Sequence, residues 1–555
     1  MIPPLDTDVI IVGGGPCGLV LAHELGRRNV RAILFNDRPD TSPHPQANAT
    51  QARTMEHYRR LGLVKRVRAA GLPADYLPDV AYFTRFSKYE LTRLEQPAAG
   101  HVEELVRSTS GSWSAAELPH RCSQMYIERI LREEAEKLPS VSLCFGRRVS
   151  RFADKGDCVE VEVTSDTDPE TRYSARYLVG ADGPRSQIRK QLGISYRGER
   201  EIERPFLAGL MYSIFFRSPQ LYDMIPHRPA WQYWAVNPER RGLMLALDGR
   251  QTFVYMTQLR PGEDPENLSE AAAREIVHRA VGRAFDLEIV ERSPWTAGLT
   301  LVAERFQAGR AFLGGDAVHL FTPTGGLGYN TAVEDAVNLG WKLAAVVKGW
   351  APERILDSYE REREPVARRN TGYARMFADS VGRFTVPSEI EEESEAGEAA
   401  RAKLGDYLNR HARAEFNIPG ISLGARYDCS PLIVSDGTHP PPDDPNIYRP
   451  TACPGGRAPH AWLSDGRSLY DALGFEFTLL RLGTNTATSG PVIEAARSRD
   501  FPLTVLDLKD EGLRDLYEAD LALVRPDQIV CWRGDQVPPN PAALLDYVTG
   551  NGASV

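Results

Sequence analysis

The chain has no paired cysteines. Its seven, Cys17, Cys122, Cys144, Cys158, Cys429, Cys453 and Cys531, are scattered, odd in number and without a CxxC spacing. That argues against a disulfide framework or a cysteine zinc site and fits a reducing cytosol; no metal is expected. A basic run is also missing. With a formal net charge of −9 over 555 residues, no nucleic-acid partner is expected. No apolar run is long enough to span a bilayer, so no membrane partner is expected. Residues 9–22 could pass for a signal-peptide core, but Asp6 and Asp8 precede them and no Lys or Arg does. The expected location is cytoplasmic. Internal repeats are absent.

The rest is ordinary globular composition, 42% hydrophobic and 25% charged, in a chain too long for one core. Two or three units are expected. Residues 9–12 read as a strand, 17–28 as a helix and 31–35 as the next strand, a βαβ opening that sets the fold class as α/β. Helices are expected at 51–61 and 123–138. From about 187 to 294, aromatics and alternating apolar residues read as a largely antiparallel sheet. Long helices return at 330–348 and 355–381. The acidic stretch 387–398 reads as a solvated linker or surface helix. Pro440, Pro441, Pro442 and Pro445 mark a boundary, and 469–548 alternates strands and helices beyond it.

Gly13-Gly14-Gly15-Pro16-Cys17-Gly18 matches GxGxxG between a strand and a helix, a dinucleotide-binding context. Gly13 permits the tight turn, Gly15 admits a pyrophosphate to the backbone, and Gly18 lets helix and strand pack closely. The helix that begins at Pro16 and Cys17 offers free N–H groups to phosphates. Where the fingerprint asks for an acid to hold ribose hydroxyls stands Asn36, with Asp37 one residue late. Asn36 is the expected contact, through its carbonyl.

Two more motifs follow strands. In Gly314-Gly315-Asp316, the carboxylate can grip a second ribose. After Pro323, the run Gly325-Gly326-Leu327-Gly328-Tyr329-Asn330 brings backbone N–H groups onto a flat ligand at a helix N-terminus. Gly180-Ala181-Asp182-Gly183 reads, alone, as turn chemistry.

Together, in this order, the three motifs resemble the aromatic-hydroxylase group of single-component flavoprotein monooxygenases. The tail is similar to that of the phenol and polyketide hydroxylase subgroup, in Pro454-Gly455-Gly456-Arg457 and Arg525-Pro526-Asp527 through Trp532-Arg533. The resemblance implies a p-hydroxybenzoate-hydroxylase-like fold. A Rossmann-like FAD domain would span 1–385, with a substrate domain inserted at about 76–105 and 187–298. Residues 386–444 would be a linker region, and 445–555 a thioredoxin-like domain without CxxC, structural rather than redox-active. It further implies FAD contacts at Gly13, Gly15, Pro16, Cys17, Gly18, Gln124, Asp182, Gly315 and Asp316, and along Pro323, Gly326, Leu327, Gly328, Tyr329 and Asn330. Pro323 is assigned to the catalytic group as well. Two positions depart from the family. Asn36 replaces an acid, and Gln46, in Pro45-Gln46-Ala47, replaces an arginine that helps hold FAD or NAD(P)H; Arg53 is retained.

The implied reaction uses NADPH or NADH to reduce the flavin, then O₂ to form a C4a-hydroperoxide that hydroxylates a phenolic ring. Only one GxGxxG is present, so the nicotinamide would dock transiently. A group near the phenol would promote phenolate formation; Tyr222, Tyr233, Tyr255 and His227 are candidates. Asn48 lies where the family faces substrate. It cannot act as a base: either it caps its turn or it orients the phenol by hydrogen bonds. A flavin oxidase or dehydrogenase, and a non-catalytic flavin-binding protein, stay open as readings. A Baeyer–Villiger enzyme is disfavoured, because FxGxxxHxxxW is missing. Simple phenols, phenylpropionates, nitrocatechols and polyketide aromatics are all open as substrates, and so is a homodimer.

Overall fold

The computed structural model describes residues 5–167, 169–199, 206–260, 262–264, 268–482 and 489–552. Its first layer is a mainly parallel sheet. Thr7–Val12, rich in β-branched residues and buried, pairs in parallel with Ala32–Asn36 on one side and Thr171–Gly180 on the other. Ala311–Leu313 extends the sheet beyond Thr171–Gly180, and Val141–Phe145 beyond Ala32–Asn36. The register aligns Val12 with Phe35 and with Gly180, and Gly180 with Leu313. The carboxyl ends of these strands are therefore level. Each motif turn leaves from that edge, where open α/β sheets bind ligands.

The helices Pro16–Gly26 and Leu327–Lys348 lie against one another, almost wholly buried. A helix hydrophobic on every side belongs in an interior.

A second sheet of seven strands runs in the order Glu288–Ala297, Gly209–Arg217, Thr252–Gln258, Arg241–Ala246, Gln232–Val236, Val80–Phe83 and Glu90–Leu94. Strands from both 76–105 and 187–298 contribute to it. All neighbours are antiparallel except Val80–Phe83 beside Gln232–Val236. Alternation gives it two distinct faces. On the outer face, Tyr233 and Tyr255 set their rings against Phe86, whose N–H donates to Ala280 in the helix Glu270–Val281. On the inner face, Trp234 stacks on Tyr82, and Phe215 meets His44.

The expectation of a linker at 386–444 is corrected. Glu395–Phe416 is a 22-residue helix that packs on Glu90–Leu94. Its buried residues Gly397, Ala400, Leu404, Leu408, His411, Ala412 and Glu415 recur at helical spacing. The stripe is built partly of small and polar residues, which disguises it.

The last unit is a four-stranded sheet ordered Leu503–Leu508, Phe477–Leu482, Leu521–Val524, Val530–Gly534. It docks through buried charge. Arg525 donates to both carboxylate oxygens of Glu362, at 2.7 and 2.9 Å, and Lys342 meets the same group at 2.6 Å. Arg457 pairs with Glu56, and Arg53 donates to the Gln528 side chain and the Asp527 carbonyl. Among the described residues no helix is long and apolar enough to cross a membrane.

Candidate active site

Three turns far apart in sequence meet at the level strand ends. Gly13 has φ +114°, and a Cβ there would lie 2.2 Å from the Ala181 carbonyl oxygen. Only glycine lets the first turn touch the Ala181–Asp182 turn. Cys17 packs against Gly314 and Gly315. No side chain caps the helix at Gly15, and a Cβ on Gly15 would meet nothing within 4 Å. Uncapped N–H groups facing open space are what a pyrophosphate needs.

Asp316 lines the same crevice. It is exposed, although Gly315 and Ala317 beside it are buried. Enclosure by protein still raises its pKa above the ordinary carboxylate value, with His319 pulling the other way. Behind it, the buried Asp335 carboxylate accepts from the Gly315 N–H at 3.1 Å, lies 2.7 Å from His319 Nε2 and accepts from Arg363 Nε at 2.8 Å. Burial alone would raise its pKa, but His319 and Arg363 hold it below the ordinary range.

The Gln46 and Gln124 side chains meet at 3.2 Å, and the Gln124 N–H donates to the Ala47 carbonyl at 2.7 Å. Opposite lies the Pro323–Gly326 loop, with Pro323 exposed. Gly326, at φ +65°, comes so close to Ala49 that a Cβ would sit 2.8 Å from the Ala49 Cβ. Asn330 binds the two segments together. Its Oδ1 accepts from the Gln51 N–H at 2.8 Å, and its Nδ2 donates to the carbonyls of Ala49 and Gly326 at 2.9 and 2.6 Å. Asn330 is thus a positioning residue for the loop. Glu415 accepts from the Gly325 N–H at 2.9 Å.

Several expected contacts are placed differently. The Asn36 carboxamide closes on its own turn, accepting from the Gly14 N–H at 2.9 Å and donating to the Arg38 carbonyl. Asp37 beside it is exposed. Arg53 turns to the C-terminal unit, because its helix presents Arg53, Glu56 and His57 to that side. Leu327 and Tyr329 point inward, Leu327 onto Phe377 and Ile418, and the Tyr329 hydroxyl onto Tyr58. Only their backbone is left for a ligand. Asp182 Oδ2 accepts the N–H groups of Gln187 and Ile188, so it caps a helix; its Oδ1 has no partner.

The proposed phenol-activating side chains stand on the outer face of the seven-stranded sheet. Tyr233 accepts from the Ala230 N–H and stacks on Phe83. Tyr222 bonds Tyr76 and lies against Phe253, Tyr255 sits at Phe86, and His227 lies on Phe83. Alternation announces two faces but not which one a helix will cover. Asn48 is buried; its Nδ2 donates to the Gln46 carbonyl at 2.8 Å, and its Oδ1 has no partner. Sequence reasoning missed Asp335 with Arg363, Glu415, and the inner-face pair Tyr82 and Trp234. Alternation within Gln232–Val236 sets Trp234 and Gln232 on one face, but only the strand register brings Tyr82 beside them.

The residues fit FAD: helix N–H groups uncapped at Gly15, an exposed Asp316 carboxylate and the glycine loop at Gly325 and Gly326. Comparisons agree. The family described as "FAD binding domain" matches residues 6–374, and "Aromatic-ring hydroxylase, C-terminal" matches 451–550. An FAD-dependent monooxygenase, apdD, of Emericella nidulans is 31% identical over 95% of this chain and 88% of its own. A phenol 2-monooxygenase of a Pseudomonas species is 29% identical over 98% and 93%. The solved structure of RebC with bound 7-carboxy-K252c has a TM-score of 0.88 at 33% identity, covering 99% of this chain and 100% of that one. Aklavinone-11 hydroxylase with FAD and aklavinone gives 0.82 at 26%, covering 99% and 100%. With the FAD crevice, the second sheet and the C-terminal unit all in place, this chain belongs to the FAD-dependent aromatic-ring hydroxylases.

Proposed function

We propose that this chain transfers one oxygen atom of O₂ to a phenolic or multi-ring aromatic, with NADH or NADPH as the electron donor. One observation carries the reading. The inner face of the seven-stranded sheet, with Tyr82 stacked on Trp234, shares one buried cluster with Ala49, which abuts Gly326 of the glycine loop. A wall of rings opposite a backbone loop suits a flat substrate. FAD, when bound, supplies electron storage and oxygen chemistry. The chain's residues bind and orient the ring and exclude water. The names of the relatives include both a putative polyketide hydroxylase of Streptomyces halstedii and a phenol 2-monooxygenase, which supports a phenolic or multi-ring substrate. With one dinucleotide turn filled by FAD, the nicotinamide docks only in passing. The seven cysteines are all free, which suits cytosolic chemistry.

The test is oxidation of NADH and NADPH by the FAD-loaded protein against a panel of phenols and polycyclic phenols under ¹⁸O₂. Faster oxidation with label in the product is expected. Faster oxidation with an unlabelled, dehydrogenated product would establish the oxidase or dehydrogenase reading instead.

A further inference from the structure

Arg121 has fewer partners than its burial demands. It is 6% exposed. Its Nη2 donates to Gln96 Oε1 at 2.9 Å, and its guanidinium lies 4.5 Å from the Trp231 ring centroid. Nη1 has no hydrogen-bond partner, and no carboxylate of the described residues forms an ion pair with it. A buried, unpaired charge is strongly destabilising, and native structures keep such groups where something completes them.

Its direction is set by strand pairing. Arg121 is the partner of Ala49 in the short antiparallel pair of Ala49–Thr50 with His120–Arg121. Directly opposed residues share a face. On that face the Ala49 methyl abuts Gly326 of the flavin loop. Arg121 therefore leaves its strand toward the space between that loop and the second sheet. Trp231, on which it lies, immediately precedes the strand Gln232–Val236. On that sheet's inner face stand further buried polar atoms without partners: the Tyr82 hydroxyl, Trp234 Nε1 and Gln232 Oε1. Among the described residues, Glu415 is the acidic group that acts on Arg121 electrostatically. Its Oε1 accepts from the Gly325 N–H at 2.9 Å, and its Oε2 lies 2.8 Å from His411 Nε2 without hydrogen-bond geometry.

We propose that Arg121 Nη1 anchors an anionic oxygen on the aromatic substrate, a ring carboxylate or a phenolate, between the inner face of the sheet and the Pro323–Gly326 loop. The proposal rests on the hydroxylase reading for the ring, but on Arg121 alone for the charge. The polar atoms of Tyr82, Trp234 and Gln232 then serve the ring's neutral oxygens.

The test is binding to the FAD-loaded protein, read from perturbation of the flavin spectrum without turnover. One arm compares benzoate, 2-naphthoate and anthraquinone-2-carboxylate with their amides. The other compares 4-nitrophenol, ionised at pH 8, with 4-nitroanisole. At least one anion should bind about tenfold or more tightly than its neutral partner, as a charge-assisted bond to a buried guanidinium implies. Arg121→Gln should abolish that preference while keeping the affinity for the neutral partner and the FAD content; Arg121→Lys should keep part of it. The arm that responds identifies the oxygen. No preference in the parent protein, no binding by any anion, or a preference that survives Arg121→Gln would overturn the proposal. So would loss of FAD from both variants. Tight anion binding without labelled product would leave the anchor standing and remove the hydroxylase reading.

Discussion

Asp335→Asn and Asp316→Ala separate a group that holds the crevice together from a group that waits for the cofactor. Asp335 is fully buried and is held at once by Gly315 N–H, His319 and Arg363. Asn keeps the shape but leaves the buried Arg363 short of a counter-charge, with Glu334 at 3.1 Å as its remaining acid. Breaking one side of a buried pair costs about 3–5 kcal/mol. With an unfolding entropy of about 2.1 cal/mol/K per residue over 555 residues, that is a fall in apparent Tm of about 3–4 °C. Asp316 is different: it is exposed, and no ion pair or hydrogen bond of the described residues holds its carboxylate. Asp316→Ala should leave the apoprotein Tm unchanged. It should weaken FAD about 10- to 100-fold, the worth of a charge-assisted hydrogen bond. Thermal unfolding followed by tryptophan fluorescence, with and without FAD, and flavin retention on ultrafiltration measure both effects. An apoprotein Tm unchanged in Asp335→Asn, or lowered as much in Asp316→Ala, would refute the assignment of roles.

Three further outcomes are expected. Burial pushes His120 and His460 down to about 4, so each stays neutral in the fold while the unfolded chain takes up protons first as pH falls. Stability present above pH 6.5 is therefore lost toward pH 4, by up to about 3 kcal/mol per histidine; urea midpoints at pH 7 and 4.5 should differ, and less so in a His120→Gln, His460→Gln variant. Arg525→Ala leaves Glu362 with Lys342 as its only remaining cation and should cost about 3 kcal/mol or more in denaturant unfolding, with Arg525→Lys failing to restore the two-pronged contact; an unchanged midpoint would sink the clamp. Asn48→Ala should keep FAD but release more peroxide per NAD(P)H consumed, since its Oδ1 is free for a ligand while its Nδ2 holds the turn; coupling equal to the parent's would make it a turn residue only.

The glycine turns were legible because backbone geometry there tolerates nothing larger, as at Gly13 against Ala181. The paired strands were legible from their β-branched runs. What stayed hidden depends on partners far along the chain. Tyr233 reads as a polar ring on a pocket wall until the helix Glu270–Val281 covers its face. The helix Glu395–Phe416 reads as linker because its contact side uses glycine where the backbone comes closest: a Cβ on Gly405 would lie 2.4 Å from the Leu91 carbonyl oxygen. Arg525 and Glu362, 163 residues apart, give no local sign that one satisfies the other.

The dry ionic docking of the last unit makes it inseparable from the rest. A chain truncated before residue 451 would keep Glu56 and Glu362 in the interior while discarding Arg457 and Arg525, and would leave them Arg53 and Lys342 alone among the cations paired with them in the described residues. Arg363, one residue from Glu362, holds Asp335 and through it the Gly315 N–H. A protease nick or an early stop codon in the tail therefore does more than shorten the molecule. It removes counter-charge from the buried network that reaches Asp335 and the Gly315 N–H.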